Sequence, residues 1–174
     1  MKWRVSKDED SWFETRYALL TMRGWPRQGV TAAVPCYMAA MIANPSRWRP
    51  MTESDLPAVG ALASLIHPDF PEDDAVFAER LGLYPAGCHV LAQGDVLGAD
   101  KLGAYVISHP WIDREPPALN ARLTALPPQP STYYIHDLAL SAASRGSRAG
   151  AGIVAQLAGL AQAAGLLTMS LVSV

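Results

Sequence analysis

The sequence predicts an α/β (α+β) domain, and three observations carry that expectation. From about residue 46 onward, β-rich runs and segments of helical periodicity succeed one another. Prolines fall at the ends of those segments or in the gap between them, where they end elements without breaking them. One stretch, Ser131 to Gly152 (STYYIHDLALSAASRGSRAGAG), joins an apolar run to an alanine-rich segment through a glycine-bearing basic loop. A strand, such a loop and a helix start together hold an anion. The first N–H groups of a helix lack an acceptor inside it, and the helix dipole adds partial positive charge there. Two arginines in the loop point to a phosphorylated ligand.

Residues 1–45 are set apart as an N-terminal extension without an assigned role. Gly24, Pro26, Gly29 and Pro35 interrupt any long element, while Trp3, Trp12, Phe13, Tyr17 and Trp25 are too many aromatics for a disordered tail. A short helix over Ser11 to Met22 is expected. The apolar patch Val30 to Ala43 is internal and contains Pro35, unlike a secretory leader.

The organised domain, residues 46–174, opens with a short strand at Arg47 to Met51. Thr52-Glu53-Ser54-Asp55 is a helix-start signal, a hydroxyl followed by acids in the first turn. Leu56, Val59, Leu62, Ala63 and Ile66 then recur at helical spacing, so a helix is expected over Ser54 to His67, ended by Pro68. A second helix is expected over Asp73 to Leu83. Cys88 to Ala92 and Leu102 to Ser108 read as strands joined by a loose turn, Gly94 to Asp100. The proline-rich break His109 to Pro130 follows, with a helical turn or two expected at Leu119 to Leu126. A break of that length in a compact domain is more often functional than idle. Thr132 to Leu140 is the central strand, Ala151 to Ala164 a helix, and Leu166 to Val174 a last strand.

The 174 residues suffice for one buried core, and a net charge of −2 excludes the broadly basic face of a general nucleic-acid binder. No run is long enough to span a bilayer. Two distant cysteines, Cys36 and Cys88, make neither a disulfide framework nor a metal-spaced pair, which fits a reduced, cytoplasmic setting. His67, His89 and His109 have no metal-site spacing, so no metal is expected.

Two stretches, RPMTESDLPAVGALA and LALSAASRGSRAG, together with the order of elements, resemble the GNAT superfamily of N-acetyltransferases over about Arg47 to Val174. The resemblance implies an acyl-CoA N-acyltransferase-like fold: a mixed, mostly antiparallel sheet flanked by helices. It also implies acetyl-CoA as co-substrate and the primary amine of a small molecule or protein as acceptor. The second stretch matches the pyrophosphate motif (Gln or Arg, two residues, Gly, one residue, Gly or Ala), with Arg145 first and Gly150 last. Arg148 stands where the family has glycine. A side chain there either crowds the pyrophosphate or pairs with it. A frame from Ser147 to Gly152 recovers both glycines and loses the leading arginine. The expected cofactor-binding residues are Leu138, Ala139, Leu140, Arg145, Gly146, Ser147, Arg148, Ala149 and Gly150. Among them, a backbone N–H around Leu138 to Leu140 would meet the thioester oxygen.

The acceptor amine must lose a proton before it attacks. Simple strand alternation places Tyr134, His136, Leu138 and Leu140 on one face and Tyr133, Ile135, Asp137 and Ala139 on the other. The resemblance favours a base at Tyr134 or His136, and the ordinary imidazole pKa of about 6.5 favours His136; Asp137 is the third candidate. A buried, hydrogen-bonded histidine and a structural aspartate are the plainer alternatives. Trp111, Asp113, Arg114 and Glu115 are candidates for the acceptor side. Family members continue past the last strand with a further helix and strands that carry a tyrosine acid, so the chain reads as truncated. A second copy (a homodimer) or the N-terminal extension would otherwise cover the exposed edge. The alternative to an enzyme is an impaired fragment that at most binds CoA or serves as an interaction module.

Overall fold

A computed structural model describes residues 3–7, 16–22, 48–92 and 102–173, the first two stretches as backbone. Its strands are β1 (Trp3–Lys7), β2 (Arg16–Met22), β3 (Trp48–Pro50), β4 (His89–Ala92), β5 (Leu102–Trp111), β6 (Thr132–Leu140) and β7 (Thr168–Ser173). They form one sheet in the order β1-β2-β7-β6-β5-β4-β3. Neighbours are antiparallel except β6 and β7, which run parallel and are joined by a helix. That exception follows from connection length, since a parallel pair needs a crossover and an antiparallel one only a turn. The expected turn Gly94 to Asp100, the strand start at Arg47 and the patch Val30 to Ala43 lie outside the described residues.

Among the described residues, three α-helices flank the sheet: α1 (Leu56–Ile66), α2 (Asp74–Leu83) and α3 (Ala149–Ala163). The start signal before α1 works through Asp55, whose carboxylate accepts the Thr52 N–H and hydroxyl, each at 2.8 Å. Arg49 closes on the same carboxylate at 2.6 Å and 2.8 Å and draws its pKa down to about 2. Beneath α1 and α2 lies one core cluster, including Val59, Leu62, Phe77, Leu81, Tyr105 and Ile107. Beneath α3 lies a second, in which Ile153, Leu157 and Ala161 at four-residue spacing meet Val106, Tyr133, Ile135 and Met169. The central strands β5 and β6 are thus covered on both sides.

Two expectations are corrected. Arg16–Met22 is not helical; it pairs antiparallel with β7 from Arg16↔Ser173 to Thr21↔Thr168, and β1 pairs in turn with β2. The backbone groups along β7 need partners, and this tertiary demand overrides local helix preference. The chain's own N-terminal segment therefore lies where an uncovered strand edge was expected. Leu119 to Leu126 also forms no helix. Its backbone groups are taken by α2 and the turn before it: Asn120 N–H donates to Glu72, and Leu123 and Thr124 N–H both donate to Glu79. With side chains filling those needs, the backbone adopts left-handed φ at Asn120 (58°) and Thr124 (62°), which no helical turn allows.

Candidate functional site

β6 positions the site. Its early residues pair with β7 through Tyr133↔Met169, Tyr134↔Ser170 and Ile135↔Leu171, and the described ladder stops there. From His136 onward no pairing with β7 is described. A cleft of about 530 Å³ lies against this half, lined by Leu138, Ala139 and Leu140 from β6. Arg145, Gly146, Arg148, Ala149, Gly150 and Ala151 line its other end, at the start of α3, with Ser144 beside them. Eight of the nine expected cofactor residues therefore face one cavity. Ser147, the ninth, is not in the lining; its hydroxyl donates to the Ser144 carbonyl at 2.7 Å and accepts the Ala149 N–H at 3.3 Å, which holds the turn. Ile66 and His67, at the end of α1, complete the lining and were not singled out from sequence.

The arginine in the family's glycine place has a backbone reason to be unusual. Arg148 caps α3 with φ 64° and ψ 6°, the left-handed region. Glycine enters that region without strain, whereas a side chain costs about 1 kcal/mol or more. Gly146, at φ 79°, fills its own left-handed position with the residue suited to it. The side chains of Arg145 and Arg148 are both exposed, so two cations flank the first turn of α3 without a buried partner to satisfy. By position, the N–H groups of Gly150 and Ala151 belong to that first turn and have no intrahelical acceptor. The arrangement suits a multiply charged anion.

The simple face assignment of β6 is corrected by a bulge. Opposite β5 the register runs Ile107↔Asp137 and then Ser108↔Ile135, which leaves His136 as the extra residue. Asp137 consequently shares the α1–α2 side with Tyr134 and His136 instead of opposing them: Tyr105 donates its hydroxyl to Asp137, and His67 lies 3.4 Å from it. Leu138 packs with the α3 cluster and Ala139 with the α1–α2 cluster, so alternation resumes beyond the bulge. All three candidate catalytic side chains are brought together on one side. Periodicity could not show this, because a single inserted residue reverses the phase of everything after it.

Their partners fall into two His–carboxylate pairs. His136 Nε2 lies 2.9 Å from Glu72 Oε2, and the two side chains are 7% and 8% exposed. Burial opposes the charge on Glu72, but the His136 contact and the Asn120 N–H outweigh it and hold the carboxyl below its usual value. His67 Nε2 sits 3.4 Å from Asp137 Oδ1, outside hydrogen-bond alignment but within ion-pair range. The Asp137 carboxylate beside it raises the imidazole pKa despite partial burial. A third histidine, His109, is 1% exposed and stacks near Tyr134 and His136 at ring distances of 5.8 and 6.2 Å. Burial pushes its pKa down to about 4, so it is neutral here.

The proline-rich segment is tied to this cluster rather than loose. Arg80, buried on α2, donates to the Ala121 carbonyl at 2.7 Å and pairs with Glu79, which also holds Arg122 at 2.9 Å. Trp111, Asp113 and Glu115 instead close a local turn: the Trp111 indole donates to the Glu115 carbonyl and Asp113 N–H to the Ser131 hydroxyl. They and Arg114 are not in the cleft lining. Glu72 and Glu79 were the missed residues. Their partners Asn120 and Leu123 lie 48 and 44 positions away, too far for a local pattern to mark them.

No family model matches the chain, and no curated protein sequence matches it. Solved structures do. The GphF GNAT-like decarboxylase in complex with isobutyryl-CoA aligns with a TM-score of 0.50 at 22% identity over 67% of this chain; this chain spans 59% of that one. The loading GNATL domain of CurA from Lyngbya majuscula aligns at 0.54 and 16% identity, over 71% of this chain and 62% of that one. Ard1 from Thermoplasma volcanium aligns at 0.52 and 12% identity, over 72% and 70%. At such identities the likeness concerns architecture: the chain has the GNAT, acyl-CoA N-acyltransferase-like fold.

Proposed function

We propose that this chain binds acetyl-CoA and transfers its acetyl group to the primary amine of a small molecule or protein. The observation that carries this reading is the cleft against the last residues of β6, with two arginines and a helix start at one end and strand backbone at the other. The diphosphate would sit at Arg145 to Gly150, where N–H donors, the dipole and Arg148 meet it. The thioester oxygen would take an N–H from Leu138 to Leu140, offsetting the charge that grows there during attack. His136 is the proposed base. Glu72 orients its ring, and a water reaches the amine from the buried pair, with Tyr134 beside it. Among the described residues no helix is long and apolar enough to cross a membrane. A reducing, cytoplasmic setting fits Cys88, a buried thiol whose pKa burial raises to about 12.

Thermal unfolding with and without acetyl-CoA tests binding, and thiol release over a panel of amines tests transfer. No stabilisation at millimolar acetyl-CoA sinks the reading. Stabilisation without thiol release leaves a CoA-binding module. Because one structural neighbour holds isobutyryl-CoA, that acyl donor belongs in the panel beside acetyl-CoA. A second reading, decarboxylation of an acyl-CoA whose acyl group bears a carboxylate, is favoured by the burial of the Glu72–His136 pair, since a buried proton donor suits quenching the carbanion left as carbon dioxide departs. Carbon dioxide release that needs no amine would select it.

A further inference from the structure

We propose that His67 is a further catalytic residue of this cleft, the acid that delivers a proton to the sulfur as CoA departs. This rests on the acetyl-transfer reading above. Transfer makes two proton demands, one at the amine and one at the thiolate, and His136 is offered for the first alone. Among the described residues lining the cleft, the side chains are apolar apart from Ser144, Arg145, Arg148 and His67. Serine and arginine keep their protons at neutral pH. His67 alone can give one up there.

Its setting suits an acid. It is the C-cap of α1, next to the helix's last carbonyls, where the dipole favours a cation. Nε2 faces Asp137, 3.4 Å away, which leaves Nδ1 as the nitrogen that can serve the cleft. Asp137 is itself fixed by the Tyr105 hydroxyl, donated from β5 to its other oxygen. The charged and titratable groups around the ring are therefore Asp137 and Tyr105 from the sheet, Glu72 from the turn before α2, and Arg145 and Arg148 across the cleft. The two carboxylates raise the imidazole's pKa. Asp137 acts through His67 and is a positioning residue. His67 lines the same cleft as Leu138, beside which the acetyl-transfer reading puts the thioester.

The step balances. The neutral amine nitrogen forms a bond to the thioester carbon, and the carbon–sulfur bond breaks with its electron pair going to sulfur. The His67 imidazolium gives its proton to that sulfur, and the new ammonium's proton passes to His136 by way of water. Solvent then restores both rings.

An imidazolium beside the sulfur must also favour the thiolate of bound CoA. The test is the ultraviolet thiolate absorbance of CoA bound to the full chain, titrated with pH. The bound thiol of the wild type should titrate about one pH unit or more below that in His67→Gln. Asp137→Asn, which removes the carboxylate while keeping the ring, should give an intermediate value. In the same His67→Gln protein, kcat should fall about 10²-fold. Coincident titrations in wild type and His67→Gln, with CoA bound to both, overturn the assignment and leave acetyl transfer standing. Should His67→Gln not fold, coincident wild-type and Asp137→Asn titrations overturn it. A wild type that does not bind CoA removes both proposals.

Discussion

Arg148, proposed to meet the diphosphate, holds a backbone conformation that its side chain opposes. Its left-handed φ of 64° is the reason a glycine suits this place, and pairing with the diphosphate is the role proposed for the arginine. Arg148→Gly should therefore stabilise the fold by about 1 kcal/mol in urea unfolding. The same substitution should weaken CoA binding if the guanidinium pairs with the diphosphate; tighter binding would show that the side chain crowds it. For His136, the buried Glu72 contact fixes the ring, so His136→Ala should keep CoA affinity and lose about 10²-fold in kcat. Full activity in a folded His136→Ala protein would remove the base assignment. Sequence made both residues visible, the one by its motif place and the other by its strand. It could not show Glu72 or the His67–Asp137 pair, because those contacts span 64 and 70 positions.

At the scale of elements, the segment from Ile112 to Ser131 keeps its shape through borrowed hydrogen bonds. Glu79 accepts from Leu123 N–H, Thr124 N–H, Arg122 and Arg80 at once. Removing its charge would strand Arg80, whose side chain has no exposed surface. Glu79→Gln should cost about 3 kcal/mol in urea unfolding, and hydrogen exchange at Leu123 and Thr124 should accelerate. Unchanged exchange there would mean the segment is held some other way. The helical turn that its sequence suggests is lost to these long-range acceptors. β6 behaves differently: its span from Thr132 to Leu140 was legible to the residue, yet its facing was not. The bulge at His136 is decided by pairing with β5, and no local signal marks it.

For the whole molecule, acid should act in two windows. Burial depresses the pKa of His109 from 6.5 to about 4, so the unfolded chain binds its proton first; the stability tied to the neutral ring is present above pH 6.5 and lost as pH falls toward 4. Asp55 and Glu79 are held at about 2, against ordinary values of 3.8 and 4.5, so their contribution is lost from there down toward pH 2. His67, raised by Asp137, runs the opposite way and favours the fold below 6.5. Urea midpoints measured from pH 8 to 3 should decline from about 6.5, and His109→Phe should remove the upper part of the decline. A midpoint flat to pH 4 in the wild type would contradict this. The N-terminal strands bear on the whole sheet too. A chain lacking residues 1–22 bares the β7 edge, and should lose stability or associate in sedimentation as that edge seeks a partner.

What the sequence by itself determined was every element of the domain whose signal is local: the capped α1, the apolar β6, the Ala-rich α3 and the basic loop between the last two. Those depend on neighbours a few residues apart. Only the tertiary structure decided that Arg16–Met22 is a strand beside β7, that β6 bulges at His136, and that His67 reaches the cleft. Each of these is settled by a partner far along the chain. A free strand edge, a mismatched ladder or a facing carboxylate sets the lower-energy arrangement only once the chain has brought it near.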